Sequence, residues 1–226
     1  MNKGKALADI YEEMASCRKC PRLVEHRTAP VKGRGSHSAR IMLIGEAPGE
    51  DEDADGEAFV GRSGGKINSL LKRLPDAGLD VSPARDFFLF NAVNCRPTHY
   101  NKAKDKLENA TPTPAEIVNC RPWLHKVIRL LDPLCLILLG RVPCASFGIT
   151  DALGKVHGKM IDVRIEGVDH EIIYSAVPVY HPSFLLRSAD KPQHEENVFR
   201  ALKGTVERAW ACIRISQGLS PQPPEE

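Results

Sequence analysis

Hydrophobic residues fall along this chain in two rhythms. Four short stretches, 40–44, 87–93, 134–139 and 172–180, are apolar almost throughout. Runs of that length without polar alternation predict strands covered on both faces. Elsewhere apolar residues recur at helical spacing, as Ala6, Ile10 and Met14 do within a helix predicted over 5–16. Helices are also predicted over 64–74, 114–131 and 194–215. The one at 114 has a well-marked start, with Thr113 as cap, Pro114 in the first turn and Glu116 three residues after the cap. Residues 21–38 read as a basic connector holding Pro and Gly. Residues 151–171, with Gly154, Gly158 and Gly167, read as a turn or hairpin insertion. The tail, 216–226, holds three prolines and two terminal glutamates and is expected to be disordered. Strands alternating with helices predict an α/β fold: a three-layer α/β/α sandwich with a central four-stranded, mainly parallel sheet. A single domain is expected over 1–215, with a Cys-x-x-Cys segment following its first helix.

A sheet of this kind binds ligands beyond the carboxyl ends of its strands. Chemistry-bearing residues gather at those ends. Gly45-Glu46-Ala47-Pro48-Gly49 closes the first strand, a loop where backbone can approach a ligand closely. Asn91 lies near the end of the second, Gly140-Arg141 at the end of the third, and His181 at the end of the fourth. Pro182 holds the backbone of His181 extended, and Ser183, Leu185 and Arg187 follow it. Phe59 opens Phe59-Val60-Gly61-Arg62-Ser63-Gly64-Gly65, an aromatic among glycines that suits stacking on a flat ring.

Composition narrows the partners. The chain has 226 residues, 42% hydrophobic and 27% charged, as soluble globular proteins do. No apolar run reaches membrane-spanning length, and the first residues lack an apolar signal core, so a cytoplasmic protein without membrane contact is expected. The net charge of +2 excludes binding driven by a basic tail; any affinity for nucleic acid must come from a local patch. The acidic run Glu50-Asp51-Glu52-Asp53, with Asp55-Gly56, opens like a calcium loop. The twelfth position is Arg62 rather than a bidentate Glu, so a solvated acidic turn is expected instead.

Seven cysteines in a cytoplasmic chain point to ligands or buried thiols rather than disulfides. Cys17-x-x-Cys20 has chelate spacing, and the tetrapeptide Asn-Cys-Arg-Pro occurs twice, at Asn94 and at Asn119. Cys17, Cys20, Cys95 and Cys120 therefore suit a tetrathiolate site. Sulfur ligation alone fits zinc or an iron–sulfur cluster equally. Cys135, Cys144 and Cys212 lie among apolar residues and are expected to be buried.

The joint order of the 45–49 loop, the Phe59–Gly64 motif, Asn91, the 181–187 stretch and the cysteine pattern resembles family 4 uracil-DNA glycosylases, over about residues 10–212. That resemblance implies a repair enzyme that flips uracil out of single- or double-stranded DNA and hydrolyses its N-glycosidic bond, leaving an abasic site. It implies a uracil site of Glu46, Ala47, Pro48, Phe59, Asn91 and His181, with Glu46 and His181 in the reaction. An amide at Asn91 would pair with O4 and N3–H of uracil and mismatch cytosine. His181 would donate to O2 as the leaving base gains charge. DNA contacts fall to Arg62, Lys66, Arg141, Ser183, Leu185 as the wedge that fills the flipped base's gap, and Arg187. The resemblance selects a [4Fe–4S] cluster over zinc, and a monomer.

Ala47 occupies the place where other branches of the superfamily carry an Asp, so the usual water-activating carboxylate is absent there, an absence that family 4 shares. One departure stands out. The interval from Cys95 to Cys120 is longer than in family 4 and carries His99, Tyr100, Lys102, Lys104 and Lys106. A related branch becomes covalently attached to uracil DNA through a His near here, but this chain lacks its Arg-Arg-Ile-His signature. A covalent or non-catalytic uracil-DNA-binding protein on the same scaffold is the alternative. A nucleotide-binding protein of another kind is disfavoured, because the Gly45 loop lacks the Lys-Ser/Thr ending of a phosphate loop.

Overall fold

Ile41, Met42, Leu43 and Ile44 are all buried completely, and a strand with no wettable face must lie inside a sheet. In the computed structural model, which describes residues 2–167, 170–188 and 190–216, it does. The elements run α1 (Lys3–Ala15), α2 (Pro21–His26), β1 (Arg34–Gly35), β2 (Ile41–Gly45), α3 (Glu50–Asp55), α4 (Arg62–Asp76), α5 (Pro83–Asp86), β3 (Phe87–Asn91), β4 (Thr98–Asn101), β5 (Lys106–Asn109), α6 (Pro114–Leu131), β6 (Cys135–Leu139), α7 (Arg141–Ser146), α8 (Leu153–Val156), β7 (Ile161–Glu166), β8 (Glu171–Val179), α9 (Pro182–Arg187) and α10 (Pro192–Ser216). From residue 217 the tail lies outside the described residues.

The four predicted strands are the parallel heart of the sheet, β3-β2-β6-β8. The sheet itself has six strands, not four, in the order β1-β3-β2-β6-β8-β7. Both additions are antiparallel edges. β1 is two residues long, too short to leave a pattern in the basic connector, which also contains α2. β7 buries only alternate residues and pairs with β8 as a hairpin, so the insertion at 151–171 extends the sheet. A separate two-stranded hairpin, β4–β5, occupies the long Cys95–Cys120 interval.

Alternation along the central strands divides the core into two layers. Met42, Ile44, Phe88, Phe90, Leu136 and Leu138 pack with Leu7 of α1, Leu124 and Ile128 of α6, and Val142 of α7. Ile41, Leu43, Phe87, Leu89, Ile137 and Leu139 pack with Ile67, Leu70 and Leu74 of α4, and with Val198 and Leu202 of α10. Helices thus cover both faces. The α6 start forms the expected capping box: Thr113 Oγ1 accepts from Glu116 N at 3.3 Å, and Glu116 Oε2 accepts from Thr113 N at 2.8 Å. Among the described residues no helix is long and apolar enough to cross a membrane.

Two local expectations are corrected. The acidic run is a short helix, α3, and not wholly solvated: Asp53 is buried and accepts from the Thr28 backbone N–H and hydroxyl. Cys135 and Cys144 are buried as expected, but Cys212 is exposed on α10. A helix turns its residues around the full circle, so an apolar neighbourhood in sequence does not fix which side faces solvent.

Candidate active site

The parallel register sets Gly45 beside Asn91 at the carboxyl edge of the sheet. No side chain fits at Gly45. A Cβ there would lie 2.5 Å from Asn91 Oδ1 and 2.6 Å from Phe59 Cζ. Phe59 is trapped from its other side as well, because a Cβ at Gly64 would come within 1.9 Å of the Phe59 carbonyl oxygen. Phe59 itself adopts φ of 62°, left-handed and strained for a residue with a bulky side chain. Strain of this kind persists only where the surroundings over-determine it, and such positions cluster at functional sites. Arg34 Nη2 contributes by donating to the Phe59 carbonyl at 3.1 Å.

His181 leaves β8 and caps α9. Ser183 N–H donates to His181 Nδ1 at 3.1 Å, and the Ser183 hydroxyl lies 2.8 Å from the same nitrogen. A backbone N–H can only donate, so Nδ1 is an acceptor and the neutral ring carries its proton on Nε2. Burial, reinforced by the charge of Arg187, pushes the pKa of His181 down to about 4, so the ring is neutral near pH 7. Gly140 allows the approach of β6 to this residue: its φ is 98°, and a Cβ would stand 3.0 Å from His181 Cβ.

These groups meet in a cavity of about 380 Å³, lined by Glu46, Ala47, Pro48, Phe59, Asn91 and His181, with Arg62 and Ser183 at its wall. That is large enough for a small flat ring. The Asn91 side chain is buried yet makes no hydrogen bond among the described residues, which leaves its donor and acceptor for a ligand. Glu46 is raised above the usual carboxylate range by burial, against the opposing pull of the Thr111 hydroxyl and the Arg187 charge. A second, adjoining cleft of about 660 Å³ shares Glu46, His181 and Ser183 with the first and carries Arg141 and Arg187.

Two residues expected at the site lie elsewhere. Lys66 is ion-paired with Glu195 of α10. Leu185 is 3% exposed and packs in the core between α4 and the sheet, because α9 begins at Pro182 and turns this side chain inward. Both line a small crevice away from the two cavities, together with the half-buried Leu186. His99 is exposed on β4 at 3.7 Å from Glu108 and lines neither cavity.

The sequence reading missed three contributors. Glu52 accepts from Gly49 N–H at 3.0 Å and Gly61 N–H at 2.9 Å, tying the Gly45 loop to the Phe59 loop. Its place within an acidic run concealed that role. Asn109 and Ala110, at the end of the β4–β5 hairpin, complete the cavity wall. Asn109 is held by Arg96 Nε at 2.8 Å, a contact across the sequence that no local pattern announces.

Sharing no residue with either of those cavities, Cys17, Cys20, Cys95 and Cys120 line one small cavity with Met14, Leu23, Val93 and Trp123. Burial raises the pKa of Cys20, Cys95 and Cys120, and charge on neighbouring thiols raises each of them further. Among the described residues no three His, Cys, Asp or Glu side chains converge tightly enough to hold a single ion. The donor set is all sulfur, and N–H groups point at three of the four thiols. These residues fit a group that binds through thiolates.

Comparison with known proteins shows the family. The family model described as the uracil DNA glycosylase superfamily matches residues 32–203. The type-4 uracil-DNA glycosylase of Archaeoglobus fulgidus is 31% identical over 203 residues, covering 88% of this chain and 92% of that protein. The type-4 uracil-DNA glycosylase of Saccharolobus solfataricus is 35% identical over 199 residues, covering 86% and 83%. That of Thermotoga maritima is 34% identical over 207 residues, covering 91% and 93%.

Proposed function

The chain belongs to the type-4 uracil-DNA glycosylases of the uracil DNA glycosylase superfamily, and on that premise we infer that it is a DNA repair enzyme that hydrolyses the N-glycosidic bond of uracil in DNA. The observation that carries the site assignment is the convergence of Phe59, Asn91, His181 and Glu46 on one cavity at the sheet's carboxyl edge.

A flipped uracil stacks on the Phe59 ring, and Asn91 pairs with its O4 and N3–H. Cytosine presents a donor and a bare acceptor in those places and would leave the buried amide mismatched, at a cost of about 1–3 kcal/mol. As the bond to the sugar lengthens, negative charge gathers on O2 and the sugar becomes oxocarbenium-like. The Nε2–H of neutral His181 donates to that oxygen, and an oriented donor stabilises developing charge more than the ground state. Glu46, where the two cavities join, takes the proton of the water that attacks the sugar. Arg141 and Arg187 flank the second cleft and suit the phosphates on either side of the flipped nucleotide. The resemblance supports a monomer as the active unit, on single- or double-stranded DNA.

The membership in the type-4 family favours a [4Fe–4S] cluster over zinc, and the four thiols that line one cavity supply the all-sulfur donor set that such a cluster takes. Bound there, the cluster would supply a structural tie between the segment after α1, the connection between β3 and β4, and α6, away from the bond that is broken.

The test is incubation with a uracil-containing oligonucleotide followed by alkali. Cleavage at uracil, with free uracil released, is expected. DNA that is bound but never cleaved would instead make this a non-catalytic reader. An adduct that survives denaturation would revive the covalent alternative, which the position of His99 does not favour.

A further inference from the structure

The repeated Asn-Cys-Arg-Pro tetrapeptide is longer than ligation requires, since each cysteine alone supplies a thiolate. The structure gives its asparagines work to do. Asn94 directs its backbone N–H and its Nδ2 to the sulfur of Cys120, at 3.4 and 3.6 Å. Asn119, which precedes Cys120, directs its own Nδ2 to the sulfur of Cys20 at 3.5 Å. Arg27 Nη1 donates to the sulfur of Cys95 at 2.8 Å. Each donor thus serves a cysteine other than its sequence neighbour. The same side chains pin the Cys17-x-x-Cys20 turn, because Asn119 also donates to Lys19 O at 3.1 Å and Arg27 to Cys17 O at 2.7 Å. Cys17 receives no such donor among the described residues.

Asn94 sharpens the point. It is 1% exposed, and its Oδ1 has no partner. A buried amide half unsatisfied is costly, and among the described residues its amide nitrogen reaches a sulfur alone. Charge explains why sulfurs here need donors. Four thiolates around a [4Fe–4S] core leave net negative charge in a cavity walled by Met14, Leu23, Val93 and Trp123. Such charge is stable away from water only with donors or a countercharge. Arg27 supplies both.

We propose that Asn94, Asn119 and Arg27 are positioning residues for the cluster, a crossed set of N–H donors that holds three of its four cysteine ligands and sets its reduction potential. This rests on the cluster reading given above. Donors to sulfur favour the more negatively charged, reduced cluster, so their loss lowers the potential. Outer partners of metal ligands typically govern affinity by about 10–100-fold.

The experiment uses full-length protein purified anaerobically, as wild type, Asn119→Asp, Arg27→Gln and Arg27→Met. Visible absorbance reports occupancy, a redox titration followed by paramagnetic resonance gives the midpoint potential, and bleaching in excess chelator gives the release rate. Expected are loaded variants whose potential is lower and whose bleaching is about 10-fold faster or more, with Arg27→Gln, which keeps N–H donors, between wild type and Arg27→Met. Loaded variants that match wild type in both measurements would overturn the proposal. If Asn119→Asp does not fold, the ordering of the two Arg27 variants decides by itself. A colourless wild type holding one zinc overturns the cluster reading and this proposal with it, an outcome visible before any variant is made.

Discussion

His181 shows how much chemistry one backbone contact can fix. Ser183 N–H occupies Nδ1, so the ring meets a substrate with a donor at Nε2 and no freedom to invert. Losing one such donor typically costs about 10²–10³ in rate, so His181→Ala should slow single-turnover uracil release by that factor while DNA binding changes little. A loss confined to binding would make His181 a positioning residue and shift the chemistry to Glu46. Burial places the ring's pKa near 4 rather than 6.5, so protonation of His181 should not depress cleavage until the pH falls well below 6. Below that point protonation turns Nδ1 from acceptor to donor and sets it against Ser183 N–H. A pH–rate profile checks the position of that acid limb. Residues of this kind were legible in the sequence because they sit at strand ends, where a parallel sheet gathers ligands. Glu52 was not, since a carboxylate that clamps two loops looks in sequence like any other member of an acidic run.

At the level of elements, helix phase decides what sequence order cannot. Leu185 was expected to face DNA as a wedge, but α9 starts at Pro182 and carries it into the core, 3% exposed, beside α4 and α10. Truncating a buried Leu typically costs about 2–5 kcal/mol, so Leu185→Ala should lower thermal stability and affect cleavage of single- and double-stranded substrates alike. A variant with an unchanged melting temperature and a selective loss on duplex DNA would restore the wedge. The Phe59 loop makes a complementary case. Its left-handed φ is enforced by close contact with α4, where Gly64 leaves no room for a methyl group against the Phe59 carbonyl. Gly64→Ala should therefore displace Phe59 and abolish uracil release while leaving the strands intact, which activity and circular dichroism together would show. The central strands were readable because they are apolar throughout. β1 was not, because two residues carry no period, and the β4–β5 hairpin was met only as added length with a basic surface.

Across the whole molecule, charge acts through the fold as well as at the surface. His125 is buried in α6, stacked on Phe147, with its pKa pushed down to about 4 by burial, against the opposing influence of Glu166. Its depressed pKa gives the sign directly. Above pH 6.5 the ring is neutral whether the chain is folded or not. Between about 6.5 and 4 the unfolded chain takes up a proton that the folded chain refuses, so stability falls with pH by about 1.4 kcal/mol per unit from this group. His125→Gln should flatten the fall by one proton's worth, read from denaturant midpoints across that range.

At the surface, a net charge of +2 leaves DNA affinity to a few well-placed cations. Arg62, Arg141 and Arg187 are exposed around the two cavities and form no ion pair among the described residues. Lys66, by contrast, is committed to Glu195, part of a network with Arg73 that ties α4 to α10. A free cation that neutralises a phosphate releases counterions on binding, whereas a cation already paired within the protein releases none. Arg187→Ala should therefore reduce the slope of log affinity against log salt by about one. Lys66→Ala should leave that slope unchanged and weaken the packing of α10 instead. Were the slope to fall for Lys66→Ala and not for Arg187→Ala, the DNA would have to cross the α4–α10 seam rather than the cleft shared by Glu46, His181 and Ser183.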